Sequence, residues 1–186
     1  MGGSFNPPHE GHLTVARAAL RRLRIDQIWW IVSPGNPLKS HYVLQPLADR
    51  IAACRALTHH DPKIRVTGFE EDLKTAYTAS TVAFLTRRYS TVDFVWVMGA
   101  DNLATFHRWY RWRDIAASIP IAVVDRPGWH LKAVSSPAAL ALSRFRHDER
   151  VAASLPAHKP PAWTVLTTPL SHLSSTDLRR KTASKL

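Results

Sequence analysis

The sequence is poor in cysteine and has no long hydrophobic run. Cys54 is the single cysteine among 186 residues, which excludes an internal disulfide and a cysteine-only zinc site. No apolar run reaches the roughly 18 residues that cross a membrane, and no charged-then-apolar leader marks a signal peptide. We therefore expect a cytoplasmic protein without a membrane partner.

Acidic residues are scarce relative to basic ones. The 25 Lys and Arg against 14 Asp and Glu give a net charge of +11 and a pI of about 10.5. Such a surplus attracts anions such as nucleotides, nucleic acid or acidic lipid, but a generally basic surface is the simpler interpretation. No block of five consecutive basic residues marks a nucleic-acid tail. A non-catalytic basic nucleotide- or RNA-binding module stays open as an alternative.

Helical and strand patterns alternate along a chain whose length predicts one domain over 1–186. The patterns predict helices over 12–23, 46–58, 79–89 and 175–181, and strands over 27–32, 63–66, 92–98, 119–124 and 163–166. Residues 129–162 are interpreted as a helix followed by a surface loop. This alternation predicts an α/β fold, a Rossmann-like parallel sheet with helices on both faces. Ligands then bind beyond the carboxyl ends of the strands.

The strongest local pattern is GGSFNPPHEGH at residues 2–12. Its two glycines allow close backbone approach to a ligand, and a helix beginning near Glu10 directs its positive N-terminal end to the same place. His9 and His12, three residues apart, lie on one side of the first turn. Together these features predict a polyphosphate site. The alternatives are a zinc pair, which normally has four-residue spacing and a carboxylate partner, or plain surface residues.

This string resembles the signature Gly-Gly-x-Phe-x-Pro-x-His-x-Gly-His of the nucleotidyltransferase superfamily, and SSTDLR at 174–179 resembles its second motif, Ser-Ser-Thr-x-x-Arg. Between them lie further segments in a characteristic order, namely SPGNPLK at 33–39, YTA at 77–79, GADNL at 99–103, the pair Trp109-Tyr110 and RPG at 126–128. This succession is similar to the bacterial nicotinate-nucleotide adenylyltransferases, over nearly the whole chain.

The resemblance implies that ATP and nicotinate mononucleotide react to give deamido-NAD and pyrophosphate, a step of NAD biosynthesis. Mg²⁺ would accompany ATP, held mainly by phosphates and water, with no metal ligand from the protein. A homodimer is possible, and no nucleic-acid partner is expected. The alternative acceptors within the superfamily are nicotinamide mononucleotide and phosphopantetheine.

The resemblance also implies roles for particular residues. Catalytic roles fall to His9, His12 and Arg179. ATP binding falls to Gly3, Ser4, Phe5, His9, His12, Gly99, Asp101, Ser175, Thr176 and Arg179. Nicotinate-nucleotide binding falls to Ser4, Lys39, Tyr77, Thr78, Trp109, Tyr110 and Arg126. Three simpler interpretations stay open: Lys39 as a surface lysine, Arg126 as a partner of Asp125, and the aromatic residues, Trp112 above all, as core.

One departure from the superfamily pattern stands at the first motif. An apolar central strand normally precedes the two glycines, whereas here Met1 does, so the usual first strand is predicted to be missing. Losing a central strand removes buried area. We expect the natural start to lie upstream, and this form to be less stable and less active than an extended one.

Overall fold

Strands and helices alternate in the computed structural model, which describes residues 1–35, 44–59 and 61–167. Within these residues the strands are β1 Gly2–Gly3, β2 Ile28–Val32, β3 Ile64–Thr67, β4 Trp96–Gly99, β5 Ile121–Val124 and β6 Trp163–Leu166. The α-helices are α1 Glu10–Leu23, α2 Leu47–Leu57, α3 Thr78–Arg88, α4 Ala100–Thr105, α5 Trp112–Ser118, α6 His130–Val134 and α7 Pro137–Ala141. Three 3-10 segments span Phe106–Arg108, Ser143–Phe145 and Glu149–Ala157. The helix predicted over 175–181 lies outside the described residues.

The six described strands pair in parallel throughout. One hydrogen-bonded ladder has the order β1-β2-β3, and the other has the order β4-β5-β6. The usual apolar strand before the two glycines was predicted to be missing, and β1 consists of the glycines themselves, with Gly2 opposite Ile31 and Gly3 opposite Val32. β1 has only two residues, yet its pairing with β2 fixes the position at which the following loop begins.

The two ladders lie side by side as one layer. A Cβ added to Gly2 would stand 3.2 Å from the indole ring of Trp96, so β1 borders β4. Side chains that alternate along the strands of both ladders contribute to the same two hydrophobic clusters. Trp30 and Val97 face one cluster, whereas Ile31 and Met98 face the other. Such alternation is what a sheet buried on both faces requires.

Helices cover both faces of this layer. Helices α1 and α2 and the segment Glu149–Ala157 pack on one face, and α3 to α7 pack on the other. The predicted α/β fold with helices on both faces is therefore confirmed. No helix in the described part of the chain is long and apolar enough to cross a membrane.

Two predicted regions need correction. The strand predicted over 92–98 begins only at Trp96, where its N–H donates to the Pro120 carbonyl at 2.8 Å and the ladder starts. Residues 129–162 are not one helix and a surface loop, because they contain α6, α7 and two 3-10 segments. Ala138 and Leu155 of this region are buried in the two clusters. The path of residues 129–162 is determined by the burial of such apolar side chains rather than by a regular helical pattern.

Candidate active site

The first helix begins with two histidines that cap each other. His9 is the N-cap residue of α1, and its Nδ1 accepts a hydrogen bond from the Gly11 N–H at 3.1 Å. His12 returns the interaction, since its Nδ1 accepts from the His9 N–H at 3.1 Å. The ring centroids are 3.9 Å apart. This is the reciprocal arrangement of a capping box, with imidazoles in place of the usual hydroxyl and carboxylate.

The capping bonds determine where each imidazole carries its proton. A neutral imidazole whose Nδ1 accepts a hydrogen bond must hold its proton on Nε2. His9 is 6% exposed, and burial, helped by the positive charge of Arg126, lowers its pKa to about 4. His9 is therefore neutral near pH 7, and a protonated, charge-offsetting role does not apply to it. It offers an Nε2–H donor instead.

The loop between β1 and α1 is packed closely against the ring of Phe5, which is one of its own residues. Phe5 has φ of 46°, in the left-handed region that side chains other than glycine rarely adopt. Its buried ring stacks on Trp30 at 5.0 Å and contacts the His12 ring at 4.8 Å. A Cβ at Gly3 would stand 3.1 Å from the Phe5 ring, so glycine suits this close approach. The backbone from Gly3 to Phe5 is thereby fixed next to the histidine pair.

A buried arginine supports this loop from behind. Arg50 of α2 is 1% exposed, and its Nη1 donates to the Ser4 carbonyl at 2.8 Å and to the Ser33 carbonyl at 2.7 Å. Its Nε donates to the Gln45 carbonyl at 2.8 Å. Sequence reasoning missed Arg50, because an arginine on an amphipathic helix normally faces solvent.

The carboxyl ends of β4 and β5 contribute an ion pair. Arg126 Nη1 lies 3.0 Å from the Asp101 carboxylate. Asp125 instead accepts from the Arg126 backbone N–H at 2.8 Å and contacts the His130 ring at 2.8 Å. The open choice for Arg126 is thus answered in part, because its guanidinium pairs with Asp101 and not with Asp125. Because β1 borders β4 and all these strands are parallel, this pair lies at the same edge of the sheet as the loop that carries the histidines.

Gly99, at the end of β4, leaves room for that ion pair. A Cβ at this position would overlap the Asp101 carboxylate and stand 3.1 Å from Cδ of Arg126. The strand end therefore requires glycine for a reason of contact rather than of φ. The structure brings together Gly3, Ser4, Phe5, His9, His12, Gly99, Asp101 and Arg126 at the carboxyl ends of three strands.

A separate aromatic cluster contains the residues predicted for the pyridine ring. The rings of Tyr77 and Tyr110 lie 4.9 Å apart, and the two side chains are 45% and 57% exposed. Trp109 packs on Phe106 at 5.4 Å and is half-buried. Trp112 is buried in the core, as its simpler interpretation predicts. Tyr77 and Tyr110 thus form an exposed aromatic pair at the start of α3, where Thr78 is the first helical residue.

Comparison with sequence profiles of known families identifies the family of this chain. The sequence profile described as cytidylyltransferase-like matches residues 1–181. The chain belongs to the cytidylyltransferase-like family. The resemblance drawn from the two terminal motifs is confirmed.

Relatives of this cytidylyltransferase-like chain have names that state the same enzymatic activity. A "probable nicotinate-nucleotide adenylyltransferase" of Methylorubrum extorquens is 54% identical over 180 residues, covering 97% of both chains. One of the same name from Agrobacterium fabrum is 56% identical over 179 residues, covering 96% of this chain and 95% of the relative. A solved structure titled as Plasmodium falciparum nicotinic acid mononucleotide adenylyltransferase complexed with NaAD aligns with a TM-score of 0.74. It is 16% identical, covers 96% of this chain and 80% of that one, and shows the shared fold.

Four predicted site residues of this family member lie outside the described residues: Lys39, Ser175, Thr176 and Arg179. Their predicted contacts with phosphates stay predictions. Among the residues that are described, no group of three or more His, Cys, Asp or Glu side chains is placed to hold a metal ion.

Proposed function

We propose that this chain is a nicotinate-nucleotide adenylyltransferase, which transfers AMP from ATP to nicotinate mononucleotide and releases pyrophosphate. The names of relatives 54% and 56% identical over nearly the full length support the substrate assignment. The observation that carries the chemistry is the reciprocal pair of His9 and His12 at the N-terminus of α1, in which each Nδ1 accepts a hydrogen bond and each neutral ring therefore carries its proton on Nε2.

The reaction needs positioning more than proton transfer. A phosphate oxygen of nicotinate mononucleotide attacks the α-phosphorus of ATP, a new P–O bond forms, and the bond to the β-phosphate bridging oxygen breaks. The nucleophile is already anionic, so no general base is needed. Negative charge grows on the equatorial oxygens and on the leaving pyrophosphate, where fixed hydrogen-bond donors lower the barrier most.

The histidines and the loop supply such donors. Nε2–H groups of His9 and His12 donate to phosphate oxygens of ATP. Backbone N–H groups of Ser4 and Phe5 face the reacting phosphates, whereas Gly3 is paired with β2. The positive end of α1 adds to their effect. A neutral His9 suits this role because it donates without first having to gain a proton in a buried position.

The ion pair of Asp101 and Arg126 serves the nucleotide ends of the substrates. Asp101, with Gly99, accepts from the adenosine ribose, and the Asp101 carboxylate orients Arg126. Arg126 then presents positive charge to the phosphate of nicotinate mononucleotide. Both roles need the two side chains to stay paired, which the small residue at Gly99 permits.

The pyridine carboxylate is bound among the aromatic residues. Tyr77 and Tyr110, whose rings contact each other, line one side of the pyridine ring. Trp109 stacks on it, and backbone N–H groups at Thr78 and Tyr110 donate to its carboxylate. Close aromatic contact holds a flat ring, and the N–H donors distinguish the acid from the amide. Lys39, Ser175, Thr176 and Arg179 are proposed to contact phosphates on the basis of the motif resemblance.

Mg²⁺ is proposed to enter with ATP. The placed side chains are imidazoles, an arginine and one paired carboxylate, a donor set that fits an ion coordinated by phosphates and water. Bound in this way, the ion offsets the charge that accumulates on pyrophosphate.

Pyrophosphate release tests the assignment. ATP and Mg²⁺ are supplied with nicotinate mononucleotide, nicotinamide mononucleotide, phosphopantetheine or no acceptor. We expect the highest kcat/KM with nicotinate mononucleotide and negligible release without an acceptor. Preference for another acceptor would refute the substrate assignment, and release by none, together with salt-dependent nucleic-acid binding, would favour the basic binding module.

A further inference from the structure

The Arg50 guanidinium is buried without a contacting carboxylate among the described residues, although Glu71 favours its charge from a greater distance. Its hydrogen bonds to the described residues go to three backbone carbonyls, those of Gln45, Ser4 and Ser33. In the described part of the chain, no Asp or Glu lies within 4.0 Å of it. Burial lowers the pKa of Arg50, but arginine keeps its charge in proteins. A full positive charge therefore stands directly behind the loop that carries Ser4.

Burying a charge without an ionic partner is costly. For packing alone, an apolar side chain of similar length would serve α2 better. The cost makes sense if the charge and its fixed donors act on something outside the hydrophobic core. The Ser4 loop, between β1 and the histidine pair, is what Arg50 reaches.

The hydrogen bond to Ser4 also orients the next peptide group. In a trans peptide the N–H points opposite to the carbonyl. Because the Ser4 carbonyl points toward Arg50, the Phe5 N–H points away from Arg50. Phe5 sits at φ of 46°, and such a conformation persists only where surrounding contacts hold it. Arg50 is one of those contacts.

The same guanidinium joins two strand ends. Ser33 follows β2, and its N–H donates to the Gly3 carbonyl at 2.9 Å. Arg50 thus fixes the chain just beyond β1 and just beyond β2 through one nitrogen atom. The distance between these two loops cannot change without breaking one of the two bonds.

We propose that Arg50 is a positioning residue for ATP, holding the Ser4–Phe5 peptide with its N–H toward the reacting phosphates and supplying positive charge behind that loop. This inference rests on the proposed function. It assigns Arg50 two separable contributions, charge for ATP affinity and planar geometry for the rate of the chemical step.

Three variants separate these contributions. Arg50→Met removes charge and donors at similar length, Arg50→Lys keeps the charge without the two-carbonyl geometry, and Arg55→Met is the matched control on the exposed side of α2. The readouts are kcat, KM for each substrate and the calorimetric Kd for ATP, at a temperature where every variant is folded by circular dichroism.

The expected pattern is a split between binding and rate. Arg50→Met should lower kcat/KM for ATP by roughly 30- to 100-fold, the scale of a small misplacement of reacting groups. Arg50→Lys should restore the Kd for ATP to within about threefold while kcat stays about tenfold low, because charge returns and geometry does not. Arg55→Met should stay within about twofold throughout, because Arg55 is exposed.

Several results would overturn the proposal. One is an Arg50→Met protein that matches Arg55→Met in kcat and in the Kd for ATP. If Arg50→Met does not fold, Arg50→Lys decides: unchanged kcat overturns the geometric role, and a tenfold loss supports it. A wild-type protein that transfers no AMP would refute the proposed function instead, and the calorimetric comparison of Arg50→Met with Arg55→Met would still decide whether Arg50 supports ATP binding.

Discussion

The protonation of His9 makes stability depend on pH in a defined window. Its pKa falls from 6.5 in the unfolded chain to about 4 in the folded protein, chiefly through burial. Between these two values the unfolded state binds more protons, so the free energy of unfolding decreases as the pH falls. The difference between these two pKa values corresponds to roughly 3 kcal/mol at full effect, and about 2 to 3 kcal/mol of this is lost between pH 7 and pH 4.5.

The assay is urea unfolding at pH 7 and pH 4.5 on three proteins. His9→Asn keeps a side-chain acceptor at the N-cap but cannot titrate, and His59→Asn changes an exposed histidine. Wild type and His59→Asn should lose about 2 to 3 kcal/mol more than His9→Asn on acidification. Equal losses in wild type and His9→Asn would refute the inference that His9 is buried and neutral.

Three further predictions concern the site and its support. Gly99→Ala should lower kcat/KM at least tenfold, because its Cβ overlaps the Asp101 carboxylate. Gly35→Ala should remain within about twofold, because no atom of the described residues lies within 4 Å of the added Cβ. The Thr81 hydroxyl donates to the buried Glu70 carboxylate at 2.6 Å, and Thr81→Val removes this donor. The free energy of unfolding, measured in urea, should fall by about 1 to 3 kcal/mol. Tyr110→Ala should raise the KM for nicotinate mononucleotide by roughly tenfold through lost ring contact; an equal rise in the KM for ATP would contradict its placement.

Much of the fold follows from local patterns. The runs at β2, β5 and β6 are short and almost wholly apolar, as strands buried on both faces must be, and the periodic helices α1 and α3 appear within two residues of their predicted bounds. β1 was missed because two glycines carry no side-chain pattern at all. Its existence depends on hydrogen bonds to β2, which sequence periodicity does not show.

The candidate site, like the fold, could be predicted only in part from the sequence. His9 and His12 were predicted as phosphate ligands from spacing and motif, but their mutual capping depends on ring orientations that only coordinates supply. The sequence suggested two partners for Arg126, the phosphate of nicotinate mononucleotide and the adjacent Asp125. In the structure its guanidinium pairs with Asp101, 25 residues away. Arg50 gave no signal, because its burial follows from the carbonyls that converge on it in space.

The most direct test of the central claim follows the α-phosphate of ATP. The purified protein is incubated with ATP labelled at the α-phosphorus, Mg²⁺ and nicotinate mononucleotide, and the products are separated by chromatography. The account predicts that the label moves into a dinucleotide with the mass of deamido-NAD, in amounts equal to the pyrophosphate released. Label that stays in ATP, or appears only as AMP, would contradict it.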